Sequence, residues 1–120
     1  MPACYHSNGL RVIDAELIEE VVHKIADRFN PRRIVLFGSQ ARGEAGPDSD
    51  LDLMVEMETN LRPLERAIAV ASLFSDRMWP LDVVAYTPTE VERDRSRFGC
   101  LLSMIEADGR TVYEHAGTTA

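Results

Sequence analysis

The sequence predicts a small α/β domain, a β-sheet flanked by helices. Three observations carry this. Arg33–Phe37, Asp50–Glu56 and Leu81–Tyr86 are short apolar runs of strand length, bounded by turn residues. The stretches around them place apolar residues at helical spacing. The chain has 120 residues, 45% of them hydrophobic, enough for one core and one domain.

The elements follow in order. Residues up to Val12 carry no pattern and read as a loose lead-in. Asp14 is placed to cap a helix whose stripe is Leu17, Ile18, Val21, Val22, Ile25 and Phe29, and Pro31 stops it. The first strand is Arg33–Phe37, and 39–43 is a short helix or turn. Gly46-Pro47-Asp48 is a loop before the second strand. Asn60 is placed to cap a helix with Leu64, Ala67, Ile68, Ala71, Phe74 and Met78 inward. After the third strand, Thr87-Pro88-Thr89-Glu90 is a capping box with proline at the first helical position. One last helix carries Val91, Phe98, Leu101, Leu102 and Ile105, and Gly109 ends it. There is no repeat, linker or second domain. The expected division is a lead-in over 1–12, one domain over 13–114 and a polar tail over 115–120.

Composition narrows the partners. The net charge is −7 and the pI about 4.9, whereas binders of a phosphate backbone show a basic footprint, so a nucleic-acid partner is not expected. Twelve of the thirteen basic residues are arginine, which leaves room for local basic patches. Cys4 and Cys100 fit no zinc spacing and no disulfide framework, as expected of a reduced cytoplasmic protein. Residues 1–11 lack the apolar core of a signal peptide, and no apolar run approaches membrane-spanning length.

The chemistry is concentrated between Arg32 and Glu56. A strand runs into Gly38-Ser39, ten residues follow, and then the second strand carries Asp50 and Asp52. Gly38 permits a sharp turn and close approach to the backbone. Ser39 stands where a helix begins, as an N-cap, and free N–H groups at such a point attract phosphate. Residues i and i+2 of a strand share a face, so the two aspartates project together while Leu51, Leu53 and Val55 enter the core. Two carboxylates about 4 Å apart repel by roughly 4 kcal/mol at an effective dielectric near 20. A divalent cation removes that penalty, and magnesium is commonly held by one or two carboxylates plus phosphate oxygens. A third carboxylate, Asp82, interrupts the apolar run of the third strand. It needs a metal or a partner such as an arginine, and beside the second strand it joins the same cluster.

Other polar residues offer less. Arg42 lies one turn after Ser39, within reach of a phosphate and equally of Glu44 or Asp48. His23 falls off the helix stripe, and His6 and His115 form no metal-ligand spacing. Arg93, Arg95 and Arg97 alternate with Glu92 and Asp94, a solvated helix face or a partner contact. No Ser-His-Asp or Cys-His arrangement is present.

Gly38, Ser39, Asp50, Asp52 and Asp82 together resemble the signature of the nucleotidyltransferase superfamily related to DNA polymerase beta, and within it the minimal nucleotidyltransferases. Ala41-Arg42-Gly43, Pro47-Asp48-Ser49 and the stretch from Glu106 to Glu114 are also similar to that family. The resemblance covers roughly 13–114. It implies a mixed sheet with helices mainly on one face and the site open on the other. It also implies metal-dependent transfer of a nucleoside monophosphate, with release of pyrophosphate.

On this reading Asp50, Asp52 and Asp82 hold Mg2+, two ions in all, and Asp82 accepts the proton of the acceptor hydroxyl. Gly38, Ser39 and Arg42 contact the nucleoside triphosphate, with ATP the default. Minimal nucleotidyltransferases are often paired with a small helical HEPN-domain protein. The leading function is therefore an antitoxin that adenylylates a HEPN-domain toxin. The alternatives are a small-molecule nucleotidyltransferase of the aminoglycoside-modifying type and a non-catalytic module that neutralises a partner by contact. Oligomeric state is open.

Overall fold

The computed structural model describes residues 13–44 and 49–115. The expected lead-in, the Gly46-Pro47-Asp48 loop and the tail beyond His115 lie outside them. Helix α1 spans Ala15–Phe29. Asp14 caps it, its carboxylate accepting from the Leu17 N–H at 2.9 Å. The helix ends at Asn30 in the left-handed conformation (φ 48), just ahead of Pro31.

Strand β1 (Arg33–Phe37) runs directly into the short helix α2 (Gly38–Arg42). Then come β2 (Leu51–Glu56), α3 (Pro63–Ala71), a 3-10 turn (Ser72–Phe74) and β3 (Leu81–Tyr86). The order closes with α4 (Pro88–Asp94), α5 (Leu101–Asp108) and β4 (Arg110–Glu114). The sheet order is β3-β2-β1-β4. β1 is antiparallel to β2 and β4, and β2 is parallel to β3, so the sheet is mixed as expected.

The larger core lies between one sheet face and α1, α3 and the 3-10 turn. It contains Leu17, Val21, Ile25, Ile34, Leu36, Leu51, Leu53, Val55, Val70 and Phe74. Leu51, Leu53 and Val55 are fully buried, as their alternation with Asp52 predicts.

Four expectations are corrected. The opposite face is not left open: Val35 and Met54 pack there against Val91 of α4 and Leu102 and Ile105 of α5. The single last helix is two, because Gly99 adopts φ 83, which no helix interior accommodates. Arg110–Glu114, to which the sequence pattern assigns no element, is a fourth strand. Helix α3 starts at Pro63, after Arg62 rather than Asn60, and turns a different face inward. Leu64, Ile68 and Met78 are exposed, while Arg66 and Val70 are buried. Arg66 tolerates burial because its guanidinium donates to the Leu61 and Ala85 carbonyls and to Glu90.

No described helix is long and apolar enough to cross a membrane.

Candidate functional site

The sheet brings the distant acidic residues together through register. Asp52 of β2 sits directly beside Asp82 of parallel β3 and opposite Phe37 of antiparallel β1. The starts of β2 and β3 are tied by the Leu51 N–H donating to the Pro80 carbonyl at 3.0 Å. Asp50 precedes β2 by one residue. Asp50 and Asp82 are exposed and Asp52 is half-buried. The three expected carboxylates therefore share one end of the sheet, where β1 gives way to α2.

Gly38 stands at that junction with φ 74. A β-carbon placed on it collides with an Asp52 carboxylate oxygen and comes within 3.1 Å of the carboxyl carbon. The glycine is thus required twice: for the left-handed backbone and for the space the carboxylate fills. The sequence had pointed to ligand approach at Gly38, whereas the group that approaches is the protein's own Asp52.

Partial burial, reinforced by the negative charges of Asp82 and Asp50, pushes the Asp52 carboxyl up to about 6, and Arg42 opposes this only weakly.

Ser39 is not the N-cap. The helix begins at Gly38, so Phe37 takes the capping position and makes no side-chain cap bond. Ser39 falls in the first turn, and its hydroxyl has no hydrogen-bond partner among the described residues. Arg42 resolves to one of its expected partners: its guanidinium pairs with Glu44 at the surface. Asp48 lies outside the described residues. Arg93 and Arg97 pair with Asp94, and Arg95 with Glu106, which accounts for much of that run as a solvated charge network.

The donor chemistry suits a hard divalent cation: three carboxylates, no thiolate or imidazole, and no cation among the described residues paired to them. Among the described residues, no group of three or more His, Cys, Asp or Glu side chains is gathered closely enough to hold an ion unaided. The carboxylates are near enough to repel one another electrostatically, so their net demand is for positive charge.

A mixed sheet with a Gly-Ser turn and carboxylates on neighbouring strands defines the class of a nucleotidyltransferase fold. A family profile for the nucleotidyltransferase domain matches residues 18–110, and the chain belongs to that family. Two curated relatives are similar over shorter stretches. One, provisionally named a protein adenylyltransferase, is from Methanocaldococcus jannaschii, 42% identical over 50 residues, 38% of this chain and 50% of the relative. The other is protein adenylyltransferase MntA of Thermococcus cleftensis, 42% identical over 53 residues, 41% of this chain and 54% of the relative. The match thus spans about half the length of each.

Among solved structures, a Sulfolobus solfataricus protein described as a candidate nucleotidyltransferase shares the fold. Its TM-score is 0.61 at 18% identity, over 88% of this chain and 84% of that one. A toxin-antitoxin structure with AMP-PNP is similar with TM-score 0.52 and 25% identity, over 80% of this chain and 73% of that one.

Proposed function

We propose that this chain transfers AMP from ATP to a hydroxyl group of an acceptor protein, and that the acceptor is a HEPN-domain toxin which the modification neutralises. The observation that carries the reading is the register of Asp52 beside Asp82, with Gly38 against the Asp52 carboxylate. The names of the two curated relatives and the toxin-antitoxin neighbour with its bound AMP-PNP support the choice of donor and acceptor.

Asp50, Asp52 and Asp82 are the residues that would hold Mg2+. The ion supplies charge neutralisation and polarisation of the triphosphate in this class of displacement. The protein's own contribution is positioning. Gly38 admits the carboxylate to the turn, and the Ser39 hydroxyl is available to donate a hydrogen bond to a phosphate oxygen. The first N–H groups of α2 have no partner within the helix and would be further donors to phosphate. Asp82, the most open position on β3, takes the proton from the acceptor hydroxyl. The Arg42 guanidinium, held at the surface by Glu44, exchanges that contact for phosphate.

The test is incubation of the protein with ATP, Mg2+ and a purified HEPN-domain protein as partner, followed by intact-mass spectrometry. The expected result is a mass rise of one AMP per transfer on the partner, absent with Asp52→Asn. Full neutralisation of the partner by Asp52→Asn, with no mass change from the wild type, overturns the catalytic reading in favour of contact alone. AMP transfer to an aminoglycoside without any partner overturns the choice of acceptor.

A further inference from the structure

A groove of ≈ 810 Å³ runs between α1 and the segment joining the 3-10 turn to β3. Its floor is aromatic, built by Phe74 and Trp79, whose rings meet at a centroid distance of 5.8 Å. Glu16, Glu19 and Asp27 line it from α1, and Asp76 from the opposite side. None of these four carboxylates forms an ion pair among the described residues.

The two basic residues that line the groove are already engaged. Lys24 lies over the Phe74 ring at 5.6 Å, and Arg77 donates to the Phe74 carbonyl at 3.2 Å. Lys24 also demonstrates what the floor attracts, since an aromatic face binds a cation through its quadrupole. A second observation points to a ligand. Trp79 is only 8% exposed, it lines the groove, and its indole N–H meets no acceptor among the described residues. A buried indole N–H ordinarily has a partner.

We infer that this groove is the docking surface for the acceptor protein, occupied by a cationic amphipathic segment of that partner. Arginine or lysine side chains of the segment meet the α1 and Asp76 carboxylates, apolar side chains cover the aromatic floor, and a backbone carbonyl accepts from Trp79. Charge complementarity selects this occupant: Glu16, Glu19, Asp27 and Asp76, without ion pairs among the described residues, reject an acidic surface and favour a basic one. The groove lies on the α1 side of the sheet, where Phe74 and Trp79 pack with Leu51 and Leu53, while Asp52 and Asp82 project to the other side; the edge strand β3 separates the two. Trp79 stands three residues before Asp82, and Pro80 between them is bonded to the start of β2. A partner anchored there would reach Asp50, Asp52 and Asp82 round the edge strand β3, whose first residues follow Trp79 directly. The inference rests on the reading that the acceptor is a protein.

Trp79 is the sole tryptophan, so the groove carries its own reporter. The probe is a helical peptide of repeating Arg and Leu, with a Glu-Leu peptide as control, titrated against the full chain at low salt. The Arg-Leu peptide is expected to shift Trp79 emission saturably. Glu19→Lys with Asp76→Lys should weaken its binding about tenfold or more, because two attractions become repulsions. Glu19→Gln with Asp76→Asn, a gentler pair, should weaken it less but in the same direction. Asp52→Asn should leave it unchanged, which separates the groove from the carboxylate site. Equal affinity in both charge variants, or an equal response to the Glu-Leu peptide, overturns the inference. Saturable binding of spermine with none of the peptide also overturns it and assigns the groove to a small polyamine. If AMP transfer to the partner persists while the charge variants bind the peptide normally, only the docking surface is lost. If transfer fails while the groove binds the peptide, the proposed function fails instead.

Discussion

A β-carbon at Gly38 would overlap the Asp52 carboxylate, so no larger residue fits between the turn and the strand. The Gly38 turn and the acidic strand are therefore one unit, and a substitution in either reports on both. Gly38→Ala is expected to cost about 1–2 kcal/mol from the left-handed backbone alone, with the steric conflict in addition. ATP affinity should fall further than this stability loss explains, because Asp52 must move. Urea denaturation and nucleotide calorimetry on the same variant separate the two effects; unchanged ATP affinity would contradict the assignment.

Asp52 makes stability depend on pH in a definite direction. Its folded carboxyl is raised to about 6 from an ordinary value near 3.8, so between those values the folded chain holds more protons than the unfolded one. The protonated group favours folding, and that advantage is lost as pH rises from about 4 through 6. For an enclosed group a two-unit shift is about 3 kcal/mol, and at this half-open position screening leaves about 1 kcal/mol. Asp52→Asn should therefore melt higher than the wild type at pH 7.5 without metal, and the gap should close near pH 4. A pH-independent difference would show that charge repulsion is not the cause.

The Ser39 hydroxyl, without a protein partner among the described residues, should show its role only when nucleotide is present. A hydrogen bond to a charged phosphate is worth about 1.5–3 kcal/mol, so Ser39→Ala should weaken ATP binding roughly tenfold or more. The melting temperature of the free protein should stay within a degree or two, since no cap is removed. A thermal shift assay with and without ATP reads both.

Arg66 ties α3, β3 and α4 through Glu90, which also accepts from the Thr87 N–H. The guanidinium beside Glu90 holds that carboxyl below its usual range. Arg66→Ala removes the guanidinium from the Ala85 carbonyl and from Glu90, which keeps only its Thr87 N–H bond, at a cost of about 3 kcal/mol. Chemical denaturation checks this, and Glu90→Gln should cost less because a neutral amide still accepts.

The sequence made β1, β2 and β3 legible because each carries an apolar run with buried residues. β4 escaped because Arg110–Glu114 is an edge strand with no fully buried residue. The break between α4 and α5 was hidden because apolar positions continue on both sides of Gly99, so periodicity alone spans it. The inward face of α3 was misassigned for another reason. A charged residue reads as outward, and nothing local reveals that Arg66 finds acceptors on β3 and α4. The acidic positions were legible because a period of two is a local property. Their meeting with Gly38 and with one another is long-range, and only strand register supplies it.

That register has a consequence for synthesis. β1 is an inner strand, and Arg33 pairs with Glu114 on its outer side. A nascent chain leaving the ribosome exposes the unpaired edge of β1 until that distant partner emerges. Pairings so remote in sequence slow folding, because a long loop must close before any contact repays it. The turn at Gly38 hangs from this strand. The arrangement of Gly38 against Asp52 is therefore completed only once 110–114 has emerged, and a product stalled before Arg110 presents a sticky strand edge where the folded domain presents a sheet.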